Sequence, residues 1–283
     1  MIVFLNGQFV PEEQATVSVF DRSFLYGDGL FETLLVANAM PFRWSQHLAR
    51  LESGAAFLGI ALPFGAAELV RFAAKLIHEN QLSNALLRVT LSRGVGRRGY
   101  SPRGADSPVL VMSLHALRDY DPQVLTHWQL RTSEFRLPAN QALAQFKTCN
   151  KLAQILARAQ AEQSGADEAL LANTDGFVVE GTSSNLFWIA QGAVHTPPLA
   201  SGVLSGVTRS VVLELCRDLG LAMHERNVTG SRLMEAEGVF LSLSSMGIVE
   251  GASLDGAPLR QSVLTRRIHA AYSELVRRET ATA

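Results

Sequence analysis

The stretch that most restricts the fold lies between residues 169 and 196. Four short strand-forming runs, 169–172, 177–180, 185–190 and 193–196, follow one another with little but turn residues between them. Asn173-Thr174-Asp175-Gly176 separates the first two and Gln191-Gly192 the last two, and Asn, Asp and Gly tolerate the left-handed backbone of tight turns. The segment is therefore a β-meander. Upstream of it, strands and helices come in mixed order. Residues 1–5 and 8–10 flank Asn6-Gly7, the dipeptide of a two-residue hairpin. Ser45 is placed to cap a helix carrying Leu48, Leu51, Ala55 and Leu58. Residues 66–79 set Leu69, Phe72, Ala73, Leu76 and Ile77 on one helical face. Strands over 85–92 and 109–114 are joined by a loop rich in Gly and Arg. Around the meander the patterning predicts a strand over 125–132, a helix over 150–163, a helix from near Gly206 to Gly220, a strand over 240–242 and a last helix over 262–276.

This order predicts an α+β chain of two domains, and 283 residues agree with about 150 per domain. The polar stretch 116–122, ending Arg118-Asp119-Tyr120-Asp121-Pro122, is the expected linker. It separates an N-terminal α+β domain, 1–115, from a C-terminal domain, 123–283.

Apolar residues make up 47% of the chain, enough for substantial cores, and a net charge of −1 argues against nucleic acid as a partner. One small anionic ligand remains compatible with that balance. The two cysteines, Cys149 and Cys216, form neither a disulfide framework nor a CxxC metal site, so no metal is expected and a reducing cytoplasm is the simplest home. The start MIVFLNGQFVPEE does not read as a signal peptide. The longest charge-free stretch, 181–208, is too polar to span a membrane.

Lysine is scarce, with only Lys75, Lys147 and Lys151, so imine chemistry would have to use one of these three. Lys75 falls on the polar side of its helix, Lys151 inside the next helix, and Lys147 just before that helix, where a side chain can reach a cleft. A lone lysine is more often a solvated surface charge. Gly206-Val207-Thr208 opens a helix, and helix N-termini attract anions, although a capped start with no ligand is the plainer reading. Glu180 ends the apolar run Phe177-Val178-Val179, where a carboxylate calls for a cationic partner or a turn open to solvent. Arg50 offers a planar fork for phosphate or carboxylate, or is a surface charge. The loop 92–102 gathers Arg93, Arg97 and Arg98 among glycines, as an anion-closing loop or a solvated hairpin would. No Walker A loop, dinucleotide fingerprint, HExxH or nucleophile elbow is present.

Taken together, these signals call for a ligand with an aldehyde, a protonated ring nitrogen and a phosphate. The order His47-x-x-Arg50-Leu51, Lys147-x-x-Asn150, Asp167-Glu168-Ala169-Leu170, Glu180-Gly181-x-Ser183-x-Asn185-Leu186-Phe187 and Gly206-Val207-Thr208-Arg209 resembles the fold-type IV enzymes dependent on pyridoxal 5′-phosphate (PLP). These are the branched-chain and D-amino-acid aminotransferases and the 4-amino-4-deoxychorismate lyases. The resemblance runs from Asn6-Gly7 to Asp255-Gly256. It implies a small α+β N-terminal domain, a larger C-terminal pseudo-barrel, PLP in the cleft between them, and a homodimer. By position, it implies that Lys147 forms the aldimine and is the catalytic residue, that Glu180 faces the pyridine nitrogen, and that Arg50, Ser183, Val207, Thr208 and Ser244 help hold the cofactor.

Within the family, Phe31 replaces the tyrosine that D-amino-acid aminotransferases carry two residues after Gly-Asp-Gly. Arg98-Gly99-Tyr100 replaces their Arg-x-His. Both resemble the lyase pattern, as do Asp21-Arg22 and Tyr26-Gly27-Asp28-Gly29. The resemblance therefore implies conversion of 4-amino-4-deoxychorismate to 4-aminobenzoate and pyruvate, in folate biosynthesis. Tyr26, Phe31, Arg98 and Tyr100 would then meet the substrate, with Arg97 beside them, and the loop that carries Arg98 would be able to reach a neighbouring subunit's site. An aminotransferase acting on D-amino acids or a broad range of amines is the alternative.

Overall fold

The structure is a computed structural model that describes residues 1–117 and 121–281; Arg118, Asp119 and Tyr120 of the expected linker lie outside the described residues. The chain forms two compact units. The first comprises Met1–Tyr120, Phe146–Asn150 and Val276–Ala283, and the second Asp121–Gln145 and Lys151–Leu275.

The first unit begins with a hairpin of β1 (Ile2–Leu5) and β2 (Gln8–Pro11). Asn6 and Gly7 turn it with φ of 45° and 91°, the paired positive values that an Asn-Gly turn makes accessible. Then come α1 (Arg22–Tyr26), β3 (Gly29–Ala37), β4 (Met40–Pro41), α2 (Trp44–Leu58), α3 (Ala66–Asn80), β5 (Ala85–Ser92) and β6 (Val109–Ala116). The six strands make one antiparallel sheet in the order β2-β1-β6-β5-β3-β4. Leu30, Leu34 and Val36 of β3 and Leu87, Val89 and Leu91 of β5 meet Leu48, Leu51, Leu69 and Leu76 of α2 and α3 in one core. Period-2 alternation sends Phe31 and Thr33 of β3, and Arg88 and Thr90 of β5, to the opposite face.

Two local expectations change. Ser45 does not cap α2, which begins a residue earlier at Trp44, after Arg43 in left-handed conformation and with no side-chain cap. Strand β3, which lies inside the sheet between β5 and β4, has no counterpart among the expected elements. Its alternation is blurred because Leu34, Leu35, Val36 and Ala37 are all buried, and the inward row contains an acid, Glu32.

The second unit is built from β7 (Thr126–Leu137), α4 (Leu152–Gln163), β8 (Glu168–Asn173), β9 (Val178–Gly181), β10 (Asn185–Ala190), β11 (Ala193–Thr196), α5 (Val207–Asp218), β12 (Met223–Glu225), α6 (Gly230–Met234), β13 (Gly238–Leu243), β14 (Gly247–Leu254), β15 (Ala257–Pro258) and α7 (Val263–Glu279). The meander is present as β8 to β11. β9 pairs with both β8 and β10, so the path β10-β13-β14-β7-β8-β9 returns to its start and closes a six-stranded barrel. Closure removes the edges of those strands. One face of the ring collects Leu130, Leu170, Val178, Leu186, Val239, Leu241 and Leu254, a residue or more from every strand, into a single cluster. On the other face Phe187 and Phe240 stack at 4.9 Å. Lys151 stands at the N-cap of α4 and not inside the helix. Among the described residues no helix is long and apolar enough to cross a membrane.

Both Phe187 and Phe240 are fully buried. Phe240→Ala is expected to lower the unfolding free energy by about 3–5 kcal/mol, read as a lower urea midpoint with an unchanged slope.

Candidate active site

In the first unit, residues 146–150 return to lie along β3. Phe31 N–H donates to Lys147 O and Cys149 N–H to Gly29 O, both at 2.9 Å, on either side of an antiparallel bridge between Leu30 and Thr148. Lys147 therefore stands directly across from Phe31 and shares its face, as cross-strand partners do. Its Nζ lies 4.7 Å from the centre of the Phe31 ring. Lys75, by contrast, is exposed on α3, over Phe9 and near Glu79. Arg88, which the sequence reading passes over, covers the same Phe31 ring with Cζ at 3.9 Å. The one signal that could have found it is a charged residue in mid-strand, out of phase with Leu87 and Val89.

Arg50 meets Glu32 along one edge of its guanidinium, Nε to Oε1 at 2.7 Å and Nη2 to Oε2 at 2.6 Å. His47 Nδ1 lies 2.7 Å from Glu32 Oε2. Glu32 is almost wholly buried. Burial by itself would raise its pKa, but the hydrogen bonds and charge of Arg50, with His47 behind it, outweigh that and hold the carboxyl at about 2. Burial likewise lowers the His47 pKa, against the pull of Glu32 and with the help of Arg50 and Lys147, so the ring is neutral at pH 7 and donates through Nδ1. Glu32 and His47 thus lock the arginine's orientation.

The arginine-rich loop does not act as a unit. Arg93 is buried, donates Nε to Asp28 Oδ2 at 2.8 Å, and uses Nη1 and Nη2 to cap α2 at Gly59 O and Leu58 O. Arg22 joins the same Asp28 oxygen at 2.8 Å and holds the carbonyls of Gly99, Tyr100 and Ser101. The loop 92–102 is therefore clamped through its backbone, which leaves Arg97 and Arg98 exposed and Tyr100 87% exposed. Tyr26 Oη accepts from Gly99 N–H at 3.2 Å, and its ring meets Tyr100 edge-on at 5.6 Å.

In the second unit, Glu180, next to last in β9, accepts from Leu204 N–H at 3.0 Å, while Asn185 Nδ2 donates to Leu204 O at 2.9 Å. These two bonds tie the 204–206 turn to the barrel just before α5. Gly206 caps that helix; a Cβ there would lie 1.9 Å from Asn185 Oδ1, so the close approach demands glycine. Thr208 Oγ1 and Ser244 Oγ stand 3.5 Å apart. First-turn amides of a helix have no intrahelical acceptor, and together with two hydroxyls they form a donor set suited to a phosphate dianion. Val207 and Thr208 supply those amides. Ser183 Oγ turns to Glu168 at 3.4 Å. Glu168, fully buried, also accepts from Thr182 N and Oγ1, Ser184 Oγ and Ala169 N, which makes it the anchor of the turn after Glu180. In the sequence it is visible only as part of Asp167-Glu168-Ala169-Leu170.

An antiparallel sheet backed by helices, with a closed barrel in the second unit, is the two-domain α+β architecture of fold-type IV enzymes. The family profile "Amino-transferase class IV" matches residues 29–254, and the chain belongs to that family. A Methanocaldococcus jannaschii protein named "Putative branched-chain-amino-acid aminotransferase" is 35% identical over 90% of this chain and 88% of its own length. The D-alanine aminotransferase of Bacillus licheniformis is 28% identical over 99% of each chain. Among solved structures, a "Putative 4-amino-4-deoxychorismate lyase" from Legionella pneumophila superposes with a TM-score of 0.86 at 28% identity, over 94% of this chain and 98% of that one. A branched-chain amino acid aminotransferase of T.th., solved with pyridoxamine 5′-phosphate, gives a TM-score of 0.89 at 27% identity, over 96% of this chain and 93% of that one.

Acidification tests the Glu32 cluster. Glu32 has its folded pKa depressed from an ordinary 4.5 to about 2, so its stabilisation is complete above 4.5 and is lost as pH falls toward 2. His47 adds to this loss below its ordinary 6.5, because the unfolded chain takes up that proton first. Glu32→Gln is expected to cost about 3–5 kcal/mol at pH 7, by leaving the guanidinium without its counter-charge, and to flatten the acid limb of a stability-against-pH curve.

Proposed function

We propose that this class IV enzyme is a PLP-dependent lyase that converts 4-amino-4-deoxychorismate to 4-aminobenzoate and pyruvate. The observation that carries the reading is Phe31: the surface facing Lys147 is a flat apolar ring with no hydroxyl. That surface suits a planar carbocycle approaching aromaticity better than it suits a small α-carboxylate. Arg98-Gly99-Tyr100, in place of Arg-x-His, supports it.

PLP, linked through its aldehyde to a lysine amine, supplies an electron sink for the substrate carbon that bears the amine. In this reading Lys147 is that lysine, and once released it takes the proton from the amine-bearing carbon. The same amine then returns a proton to the departing enolpyruvyl methylene. Glu180 keeps the ring nitrogen protonated, its own position fixed by Leu204 N–H. Each unit offers phosphate donors of its own, Arg50 held by Glu32 in the first and the Val207 and Thr208 amides with Ser244 in the second, while Ser183 shapes the turn beside Glu180. Tyr26 and Tyr100 line the approach, and Arg98 meets a substrate carboxylate. The exposed apolar side chains Phe20, Phe24, Leu25 and Val95 of the first unit support self-association as a homodimer.

A second reading, an aminotransferase acting on D-amino acids or a wider range of amines, is supported by the aminotransferase names of the Methanocaldococcus jannaschii and Bacillus licheniformis relatives. It uses Lys147 in the same way but returns the proton to the cofactor carbon, without elimination.

The two readings separate in one experiment. Incubation with 4-amino-4-deoxychorismate is expected to release 4-aminobenzoate, while D-alanine with 2-oxoglutarate gives no pyruvate. Half-transamination by D-alanine, with no aromatic product from the first mixture, would overturn the lyase. Lys147→Ala is expected to abolish the visible absorbance of the bound cofactor; survival of that band would remove Lys147 from its role.

A further inference from the structure

Three rings stand in a row across β10, β11 and β12 of the second unit. Trp188 and His195 are cross-strand partners in β10 and β11, and His195 and His224 hold the same register between β11 and β12. Partners of this kind share a face of the sheet. The Trp188 and His195 rings stack at 5.4 Å, and the His195 and His224 rings stand 5.3 Å apart with a tilt of 30°. Strand β12 ends the sheet; His224 on it is exposed, so its ring has room to turn, while His195 is buried.

The two nitrogens of His195 differ. Nε2 lies 3.3 Å from Ala190 O. A carbonyl only accepts, so Nε2 carries the proton. Nδ1 is buried and meets no hydrogen-bond partner. A second proton there would leave an unpaired cation out of water, so Nδ1 presents a bare lone pair. Burial lowers the pKa of this ring, opposed by Ala190 O and aided by His224 and Arg226. A buried acceptor with nothing to engage it is costly until a donor or a Lewis acid reaches it. Metal-ligating histidines have this form, one ring N–H anchored on a carbonyl and the other nitrogen left for the ion. Two imidazoles on one ion stand with ring centres about 5 Å apart, because each metal–nitrogen bond is about 2.1 Å long. The separation of His195 and His224 agrees with that spacing.

We propose that His195 Nδ1 and His224 form a binding site for a divalent transition-metal ion of the nickel, copper and zinc class, one that clips β12 to β11. Imidazole suits these ions. The site lies outside the cofactor chemistry and does not depend on the reading of Lys147. Among the described residues no group of three or more His, Cys, Asp and Glu gathers to hold an ion, so water completes the coordination shell. Glu225, the next residue of β12, pairs with Arg209 instead, and the positive charge of Arg226 opposes the ion. Affinity is therefore micromolar, weaker than that of a structural site with four protein ligands.

The test uses the holoenzyme in a buffer free of phosphate and chelators. Equilibrium dialysis against Zn2+ is expected to find one ion per chain with a micromolar Kd. His224→Ala, a change at the surface, and His195→Phe, which keeps a ring in the stack, are each expected to weaken that binding by about tenfold or more, with the visible band of the cofactor unchanged. Cu2+ serves as a second probe, because it quenches an indole close to it and Trp188 stacks on His195. Part of the tryptophan emission is expected to vanish on adding Cu2+, and that loss to disappear in Trp188→Phe and in His224→Ala. Absence of stoichiometric Zn2+ uptake up to about 100 µM overturns the proposal. So does wild-type affinity in His224→Ala or in His195→Phe, or quenching that persists in Trp188→Phe, since each puts the ion elsewhere. Should His195→Phe fail to fold, His224→Ala and the Cu2+ quenching decide.

Discussion

Two backbone hydrogen bonds, from Phe31 N–H to Lys147 O and from Cys149 N–H to Gly29 O, decide where Lys147 stands in the first unit. Residues 146–150 are counted with this unit although the chain on either side of them belongs to the second. Because β3 is paired with β5 on one side, its other edge at residues 29–31 is available to receive them. Register does the rest. Opposite residues of an antiparallel bridge share a face, so Lys147 falls on Phe31 and not toward the helix-covered core. A shift of one residue would exchange it with Thr148 or Phe146.

Within each unit, buried or half-buried carboxylates act as fixed points that aim other groups. Glu32 locks Arg50, Asp28 joins Arg22 to Arg93, and Glu168 anchors the turn that follows Glu180. Burying an acid is unfavourable unless its oxygens are fully engaged, and each of these is engaged by several donors. Their common effect is orientation. Arginines or hydroxyls that would otherwise sample many rotamers are restricted to one, and the loops they hold are restricted with them.

How much of this was legible depended on whether a signal was local. The Asn6-Gly7 turn, α3 and the meander appear where their residue patterns place them, because turn chemistry and period-3.6 or period-2 alternation act over a few residues. β3 was illegible because its four buried residues in a row hide the alternation, and because Glu32 is a core acid whose partners lie 15 and 18 residues away. The arginines of loop 92–102 looked alike in sequence. Only their contacts separate Arg93, buried against Asp28 and the end of α2, from the exposed Arg97 and Arg98. Arg88 carried no motif at all.

Taken alone, the amino-acid sequence determined many of the elements, though not β3 or β14, and the α+β class and the family, since these rest on short-range periodicity and on motifs such as Glu180-Gly181-x-Ser183-x-Asn185 that need only their own spacing. It also narrowed imine chemistry to three lysines. The tertiary structure alone decided that the barrel closes through β9, that Lys147 and Arg88 meet on one ring, and that Arg50 is aimed by Glu32. Each of those outcomes joins residues far apart along the chain. Such pairings are set by strand register and by the desolvation of charges, and both come into being only when distant segments are packed together.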